Sequence, residues 1–327
     1  MKQAIRIGTR ESQLAVWQAM QVKELLAGQN VAAELVYIKS EGDIDLKTPL
    51  YEMGVQGIFT RSLDIALLNN RIDIAVHSMK DVPTQLPAGI IPAAALKRAS
   101  WKDLLVYKGD WQDVSSKLGY TDGQWTTPNP KPETPNPELI IATSSIRRKA
   151  QWLNRYPQHN IDNLRGNVNT RLAKVAESNW HGAIFATAGL ERINLRPEQS
   201  IELDWMLPAP AQGAIMVVCR AEDKEITNIC AAFNDTDTAL CTQIERDFLR
   251  ALLGGCSTPI SALAEVKNQQ IYFQGNILSV DGKQKAAIEK TIPFDAATGA
   301  GALLAKELLA NGGQAIADGI QKKEVTN

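Results

Sequence analysis

The sequence predicts an α/β protein: two similar α/β domains flanking a cleft, followed by a small α+β C-terminal domain. Three observations carry this. At 327 residues the chain is long for a single core. Short apolar runs alternate with helical patterns from the first residues onward, which is the rhythm of strands and helices wound in turn. That rhythm restarts near Leu104, and from about Asp237 it gives way to a helix followed by consecutive strands. The expected boundaries are 1–98 with 213–232 for the first domain, 99–212 for the second, carrying an insertion at 110–137, and 237–327 for the third.

In the first domain, Ala4–Gly8 reads as a short buried strand and Ser12–Leu26 as an amphipathic helix, with Leu14, Val16, Trp17, Met20, Val22 and Leu25 as its apolar surface. Ala33–Ile38 is a strand, Ile58–Leu68 a helix, and Ile72–His77 a strand that ends in polar residues. In the second domain, strands are expected at Leu104–Val106, Leu139–Ala142 and Ala183–Thr187, with helices between them. The segment 110–137 holds five prolines after residue 127 together with Trp111 and Trp125, and reads as an exposed insertion without a core element. Gly213–Val218 is a strand after the turn-rich stretch Leu207–Gln212, and it is placed to return the chain to the first domain. In the third domain the helix Thr238–Leu253, the loop Gly254–Pro259, the strands Ile260–Val266 and Ile271–Leu278, and a helix near Ala302–Leu309 complete the reading.

Hydrophobic residues make up 44% and charged residues 22% of the chain, the balance of an ordinary globular protein, which excludes disordered and fibrous classes. A formal net charge of -1 argues against general nucleic-acid affinity, which needs a basic field along one face. No apolar run approaches membrane-spanning length, and Met1–Gly8 interrupts its apolar residues with charge. A cytoplasmic enzyme or binding protein is the expected class. The cysteines Cys219, Cys230, Cys241 and Cys256 lack paired ligand spacing and the chain has three histidines, so thiols are expected and a structural metal is not.

Four arginines, Arg147, Arg148, Arg165 and Arg171, stand out against that neutral background. The first two follow Thr143-Ser144-Ser145 at the end of an apolar strand, where an opening helix offers free N–H groups to an anion. Arg165-Gly166-Asn167 reads as a turn, with Arg171 near the start of the next helix. Guanidinium groups gathered in this way suit carboxylates or phosphates, although solvated charges on two helices would give the same pattern.

His77-Ser78-Met79-Lys80-Asp81 follows another apolar strand, where open α/β sheets place their ligand sites. Asp81 with Lys80 beside it is a candidate general acid or base. A carboxylate stabilising a helix N-terminus uses the same geometry, and the pattern does not separate the two. Thr9-Arg10-Glu11-Ser12 holds the equivalent place after the first strand; Ser12 reads as an N-cap and Arg10 as directed at the same cleft. Gln18, farther along the helix, faces either cleft or solvent. Gly254-Gly255-Cys256 puts one thiol on a glycine-preceded loop, making Cys256 the accessible cysteine. Leu50–Phe59 is glycine-punctuated and lacks the Gly-Lys-Ser/Thr ending of a phosphate loop; it reads as a flap on which Phe59 stacks on a planar ligand or anchors the following helix.

At these residues the chain resembles the porphobilinogen deaminase family, also called hydroxymethylbilane synthases. The resemblance spans nearly the whole chain and is carried by Ile7–Ser12, Ala75–Pro83, Thr143–Arg148, Leu164–Val168, Gln212–Ala214 and Gly254–Cys256. It implies two periplasmic-binding-protein-like lobes, and head-to-tail condensation of four porphobilinogen molecules with loss of ammonia. The product is released by hydrolysis as a linear tetrapyrrole. It further implies a dipyrromethane cofactor, built from substrate and held through a thioether to Cys256, and a protein acting as a monomer. Carried over motif by motif, Asp81 would hydrogen-bond pyrrole N–H groups at the reacting centre. Arg10, Lys80, Arg147, Arg148, Arg165, Arg171 and Arg192 would bind the acetate and propionate groups, helped by Ser12, Gln18, Ser78, Thr143, Ser145 and Gln212. The chain departs from the common family pattern at Glu52 and Gln56, where many members carry lysines, and in the length of 110–137.

Two other classes suit parts of the pattern. A two-lobed carboxylate-binding protein would use the strand-end arginines and hydroxyls but has no use for Cys256. A cysteine hydrolase needs a histidine base, and His77, His159 and His181 are all distant from Cys256 in sequence.

Overall fold

A computed structural model describes residues 4–39, 60–126, 139–252 and 258–325. The chain begins with strand β1 (Ile5–Thr9), helix α1 (Gln13–Ala27), strand β2 (Ala33–Tyr37), helix α2 (Arg61–Leu68), and strands β3 (Ile74–Ser78) and β4 (Ile90–Leu96). It continues with β5 (Asp103–Tyr107), α3 (Trp111–Leu118), a small hairpin of β6 (Tyr120–Thr121) and β7 (Gln124–Trp125), β8 (Ile140–Ala142), α4 (Ile146–Arg155), β9 (Asn160–Asp162), α5 (Val168–Glu177), β10 (Gly182–Ala186), α6 (Thr187–Glu191) and β11 (Ser200–Glu202). Then follow β12 (Ile215–Arg220), α7 (Lys224–Ala231), α8 (Thr236–Leu252), β13 (Ile260–Lys267), β14 (Gln270–Leu278), β15 (Lys285–Pro293), α9 (Ala300–Leu308) and α10 (Gln314–Val325).

Two five-stranded sheets have the same plan. The first runs β2-β1-β3-β12-β4 and the second β9-β8-β10-β5-β11. In each, three parallel strands are followed by one antiparallel strand, and that strand pairs antiparallel with the edge. The antiparallel members are β12 and β5, the two strands that the chain enters just after leaving the other sheet. The lobes are therefore joined by two connections, 97–102 and 203–214, and each ends in a strand buried in the neighbouring lobe. The connections touch: Ala99 N donates to Gly213 O at 3.1 Å. Gly213 has φ +88°, and a Cβ there would meet Ala99 O at 2.7 Å and Ser100 O at 2.8 Å, so only glycine lets the segments lie this close.

Each sheet is covered on both faces. Ile7, Ala19, Val22, Val76 and Val217 fill one side of the first sheet, while Leu63, Leu67, Met79, Met216 and Val218 fill the other. In the second sheet Leu105, Ile141, Trp152 and Ile184 oppose Leu104, Ala142, Val175 and Phe185. A third core lies between the antiparallel sheet β13-β14-β15 and the helices α8, α9 and α10, around Phe248, Phe273 and Ile277.

The structure corrects the sequence reading at several elements. Residues 110–126 are not an exposed appendage. Asp110 caps α3 by accepting from Gln112 N and Asp113 N, and Val114 and Leu118 are buried in the second lobe's core. Trp125 donates to Glu202 O at 3.0 Å, and Tyr156 to Leu118 O at 2.7 Å, so the tryptophans that suggested exposure are anchors. Strand β4 left no clear mark in the sequence. Its run Ile-Ile-Pro-Ala-Ala-Ala-Leu contains Pro92, which sits where the pairing with β12 shifts register, the place a sheet tolerates proline. Strand β15 and helix α10 likewise extend the third unit beyond the reading.

Candidate functional site

The candidate residues converge because parallel strands end on the same edge of their sheet. Arg10 follows β1, Ser78 ends β3, Thr143 follows β8, Arg165 follows β9, and Arg192 lies just past α6, which follows β10. Local chemistry fixes each turn. Ser12 caps α1, accepting from Ala15 N at 3.4 Å, and Ser145 caps α4, accepting from Arg148 N at 3.4 Å. Thr143 is buried and its hydroxyl accepts from Ser145 N at 3.2 Å. Asn167 caps α5 through Thr170 N at 3.0 Å, and Gly166 before it has φ +115° with Thr170 within 2.7 Å of any added Cβ.

Around Asp81 the turn Met79–Asp81 is one short 3-10 turn, not the start of a helix, so the dipole explanation for this carboxylate has no helix to act on. Gln18 resolves inward: it is buried and donates to Ser78 Oγ at 2.9 Å. From the third unit, Arg246 donates to Val82 O at 2.9 Å and Pro83 O at 2.7 Å, clasping the backbone behind the turn. The Asp81 carboxylate makes no hydrogen bond to another described residue, while Lys80 and Arg171 lie within electrostatic reach.

Arg147 and Arg148 are not cleft-lining charges held by solvent. They are 4% and 5% exposed, and both turn onto Asp103, the first residue of β5, which is 0% exposed. Arg147 Nη2 donates to Asp103 Oδ2 at 2.7 Å; Arg148 reaches Oδ1 through Nη2 at 2.7 Å and Nε at 3.2 Å. Gln212 Nε2 donates to the same Oδ1 at 2.8 Å, and its Oε1 accepts from Lys80 Nζ at 3.1 Å. A chain of polar contacts thus runs from the Asp81 turn in one lobe through Gln212 to the arginines of the other. The arginines hold the Asp103 carboxyl well below the usual carboxylate range, overcoming its burial. Sequence reasoning missed Asp103; its only signal is an acidic residue opening the apolar run Leu104-Leu105-Val106.

The remaining cations are similarly placed. Arg171 uses Nε for Gly166 O at 2.7 Å, and burial with the repulsion of Arg148 and Arg165 draws it down to about 10, against the pull of Asp81. Burial, with Arg148 and Arg147 adding to it against Asp81 and Asp103, draws Lys80 down to about 8. Such lowering marks cations that are buried and set close to one another, a setting that an anionic ligand stabilises. Arg165 is buried beside this group. Arg192 is set differently: Nη2 donates to Gly213 O at 2.6 Å and the guanidinium lies 5.6 Å from the Trp17 ring, which places it at the lobe connection.

Cys256 and Phe59 lie outside the described residues, as do Glu52 and Gln56. Cys219, Cys230 and Cys241 are free and buried, and burial pushes the Cys230 and Cys241 thiols up to about 12, which leaves them inert. A dipyrrole bearing acetate and propionate groups fits the donor set: it would bring carboxylates to the crowded cations and N–H groups to the free face of Asp81.

Comparison with known proteins bears on this arrangement. The family described as porphobilinogen deaminase, dipyromethane cofactor binding domain, matches residues 5–228, and porphobilinogen deaminase, C-terminal domain, matches 239–310. A porphobilinogen deaminase of Desulforamulus reducens is 37% identical over 99% of this chain and 100% of its own length. A chloroplastic porphobilinogen deaminase of Oryza sativa is 39% identical over 89% of this chain and 78% of its own. One from Moorella thermoacetica is 39% identical over 94% of each.

Proposed function

Because the chain belongs to the porphobilinogen deaminase family, we propose that its two lobes enclose a polymerisation cleft in which Asp81 is the catalytic carboxylate. The enzyme is a transferase, a hydroxymethylbilane synthase, that joins four porphobilinogen molecules head to tail on a dipyrromethane cofactor and hydrolyses the linear tetrapyrrole free. In each round the aminomethyl C–N bond breaks, ammonia leaves, the methylene carbon bonds to the free α-carbon of the preceding ring, and that carbon gives up its proton. The cofactor, when bound, supplies the first such α-carbon.

The observation that carries the role of Asp81 is a carboxylate with no hydrogen bond from another described residue, set on a short 3-10 turn within electrostatic reach of Lys80 and Arg171. It is open to accept from pyrrole N–H groups and to stabilise the cation that forms as ammonia departs. Lys80 and Arg171 bind the acids of the incoming ring, Arg10 and Arg165 extend the cationic wall, and Ser12, Ser78, Thr143 and Ser145 support the turns. Arg147 and Arg148 brace that wall from behind, through their contacts with Asp103, Leu207 and Ile184. Cys256 is the attachment residue of the cofactor, and Phe59 belongs to the flap. Residues 1–98 with 213–232, 99–212 and 237–327 serve as the three domains. The enzyme acts as a monomer in the cytoplasm.

Asp81→Ala tests the central role. The variant is expected to bind porphobilinogen but to release ammonia at least about a hundredfold more slowly. Near-normal release would remove Asp81 from the mechanism.

A further inference from the structure

We propose that Asp103 is the positioning residue of this reaction: it orients the Arg147–Arg148 pair and, through Gln212, the Lys80 ammonium, so that both walls of the cleft are set by one buried carboxylate. This deepens the reading of the cleft given above and rests on it. Side chains of consecutive helical residues diverge by roughly 100° around the axis, so Arg147 and Arg148 would ordinarily point apart, and their charges would repel. Here both converge on one carboxylate whose four accepted contacts come from three residues. Their outer donors are fixed too, since Arg147 Nη1 donates to Leu207 O at 2.5 Å and Arg148 Nη1 to Ile184 O at 2.9 Å.

Asp103 has no exposed surface and therefore acts through its partners, not on substrate. Its backbone is equally constrained: it pairs with Ala186 of β10, and its carbonyl accepts from Leu203 N at 2.9 Å. It stands where the first connection enters the second lobe, and Gln212 lies on the return connection. Gln212 Nε2 also donates to Trp101 O at 2.8 Å, which pins the relay to both connections. Among the described residues Lys80 is faced by Asp81 on its own turn, by Arg147 and Arg148 from α4 and by Asp103 from β5, so Asp103 is one of the carboxylates that favour its charged form.

The test compares purified wild type with Asp103→Asn, which keeps the shape of the side chain and removes its charge. The variant is expected to carry less covalently bound cofactor by intact mass and to show a KM for porphobilinogen raised about tenfold or more, with kcat changed less. A rise of KM in alkali is expected near pH 8 for wild type, where Lys80 loses its charge, and should move to lower pH in the variant. Combined with Arg148→Lys the effect on KM should be far from additive, because both changes act through one contact. A folded variant with wild-type loading, KM and alkaline limb overturns the proposal, as does a loss of activity with the limb unmoved. If Asp103→Asn does not fold, Gln212→Leu decides: it leaves the arginine contacts in place and cuts Lys80 from Asp103, so it should shift the limb downward with a smaller change in KM, and an unmoved limb overturns the proposal. Absence of any covalent excess in wild type would instead count against the cleft reading itself.

Discussion

Glu245 on α8 holds Arg98 on the first connection by two contacts, Oε1 to Nη1 at 2.6 Å and Oε2 to Nη2 at 3.1 Å. Each oxygen also accepts a backbone N–H, from Ala264 at 2.7 Å and Ala211 at 2.6 Å. One fully buried carboxylate therefore ties the third unit to both lobe connections. Removing one partner of such a pair costs about 3–5 kcal/mol. Glu245→Ala is expected to lower stability by that amount in urea titration, and a loss under about 1 kcal/mol would show that the connections are held by other contacts.

Arg246, the next residue, reaches the opposite way, to the carbonyls of Val82 and Pro83 behind the Asp81 turn. Arg246→Met keeps much of the packing and removes the clasp. Misplacement of a catalytic group by about 1 Å is enough for a loss of about a hundredfold, so kcat should fall between about tenfold and a hundredfold with KM changed less. Equal loss in KM alone would assign Arg246 to substrate binding.

The acid limb of stability follows from two buried histidines. Burial holds His77 and His159 down to about 4, with the charge of Arg10 adding to the first and His181 to the second. As pH falls through about 6.5, the unfolded chain takes up protons at these positions while the folded chain does not until about 4. Stability therefore falls between pH 6.5 and 4, by up to about 3 kcal/mol for each histidine. Urea midpoints at pH 7 and pH 5 should show the slope, and a His77→Gln, His159→Gln double variant should flatten it; an unchanged slope assigns the acid limb elsewhere.

The arginines should not be interchangeable. Arg147 and Arg148 share one carboxylate, whereas Arg171 is held mainly through Gly166 O. Lysine substitutions at Arg147 and Arg148 are expected to stall the enzyme at the same stage, and those at Arg10 and Arg171 at other stages. Mass spectrometry of the covalent intermediates after brief exposure to substrate reads this directly. A single common stall would contradict successive handling of the growing chain.

The sequence exposed what local rules govern. Ser12 was legible as a cap because a hydroxyl at a helix start has one common use, and the strand ends marked Arg10, Ser78 and Thr143 as ligand-site candidates, whereas the caps at Ser145 and Asn167 emerged only from the structure. Asp103 was not legible, since an acidic residue at a strand start reads as a boundary until the two arginines are seen to converge on it. The insertion was misread because its prolines after residue 127 coloured the whole stretch, although Val114 and Leu118 already had helical spacing. Strand β4 was hidden by Pro92, whose bulge only the pairing with β12 reveals.

The most direct test of the whole account is the intact mass of the purified protein. The polymerisation reading predicts a covalent excess equal to two condensed pyrrole units on the wild-type chain, absent from Cys256→Ser, which should be inactive. An active wild-type protein with the mass of the bare polypeptide would contradict it.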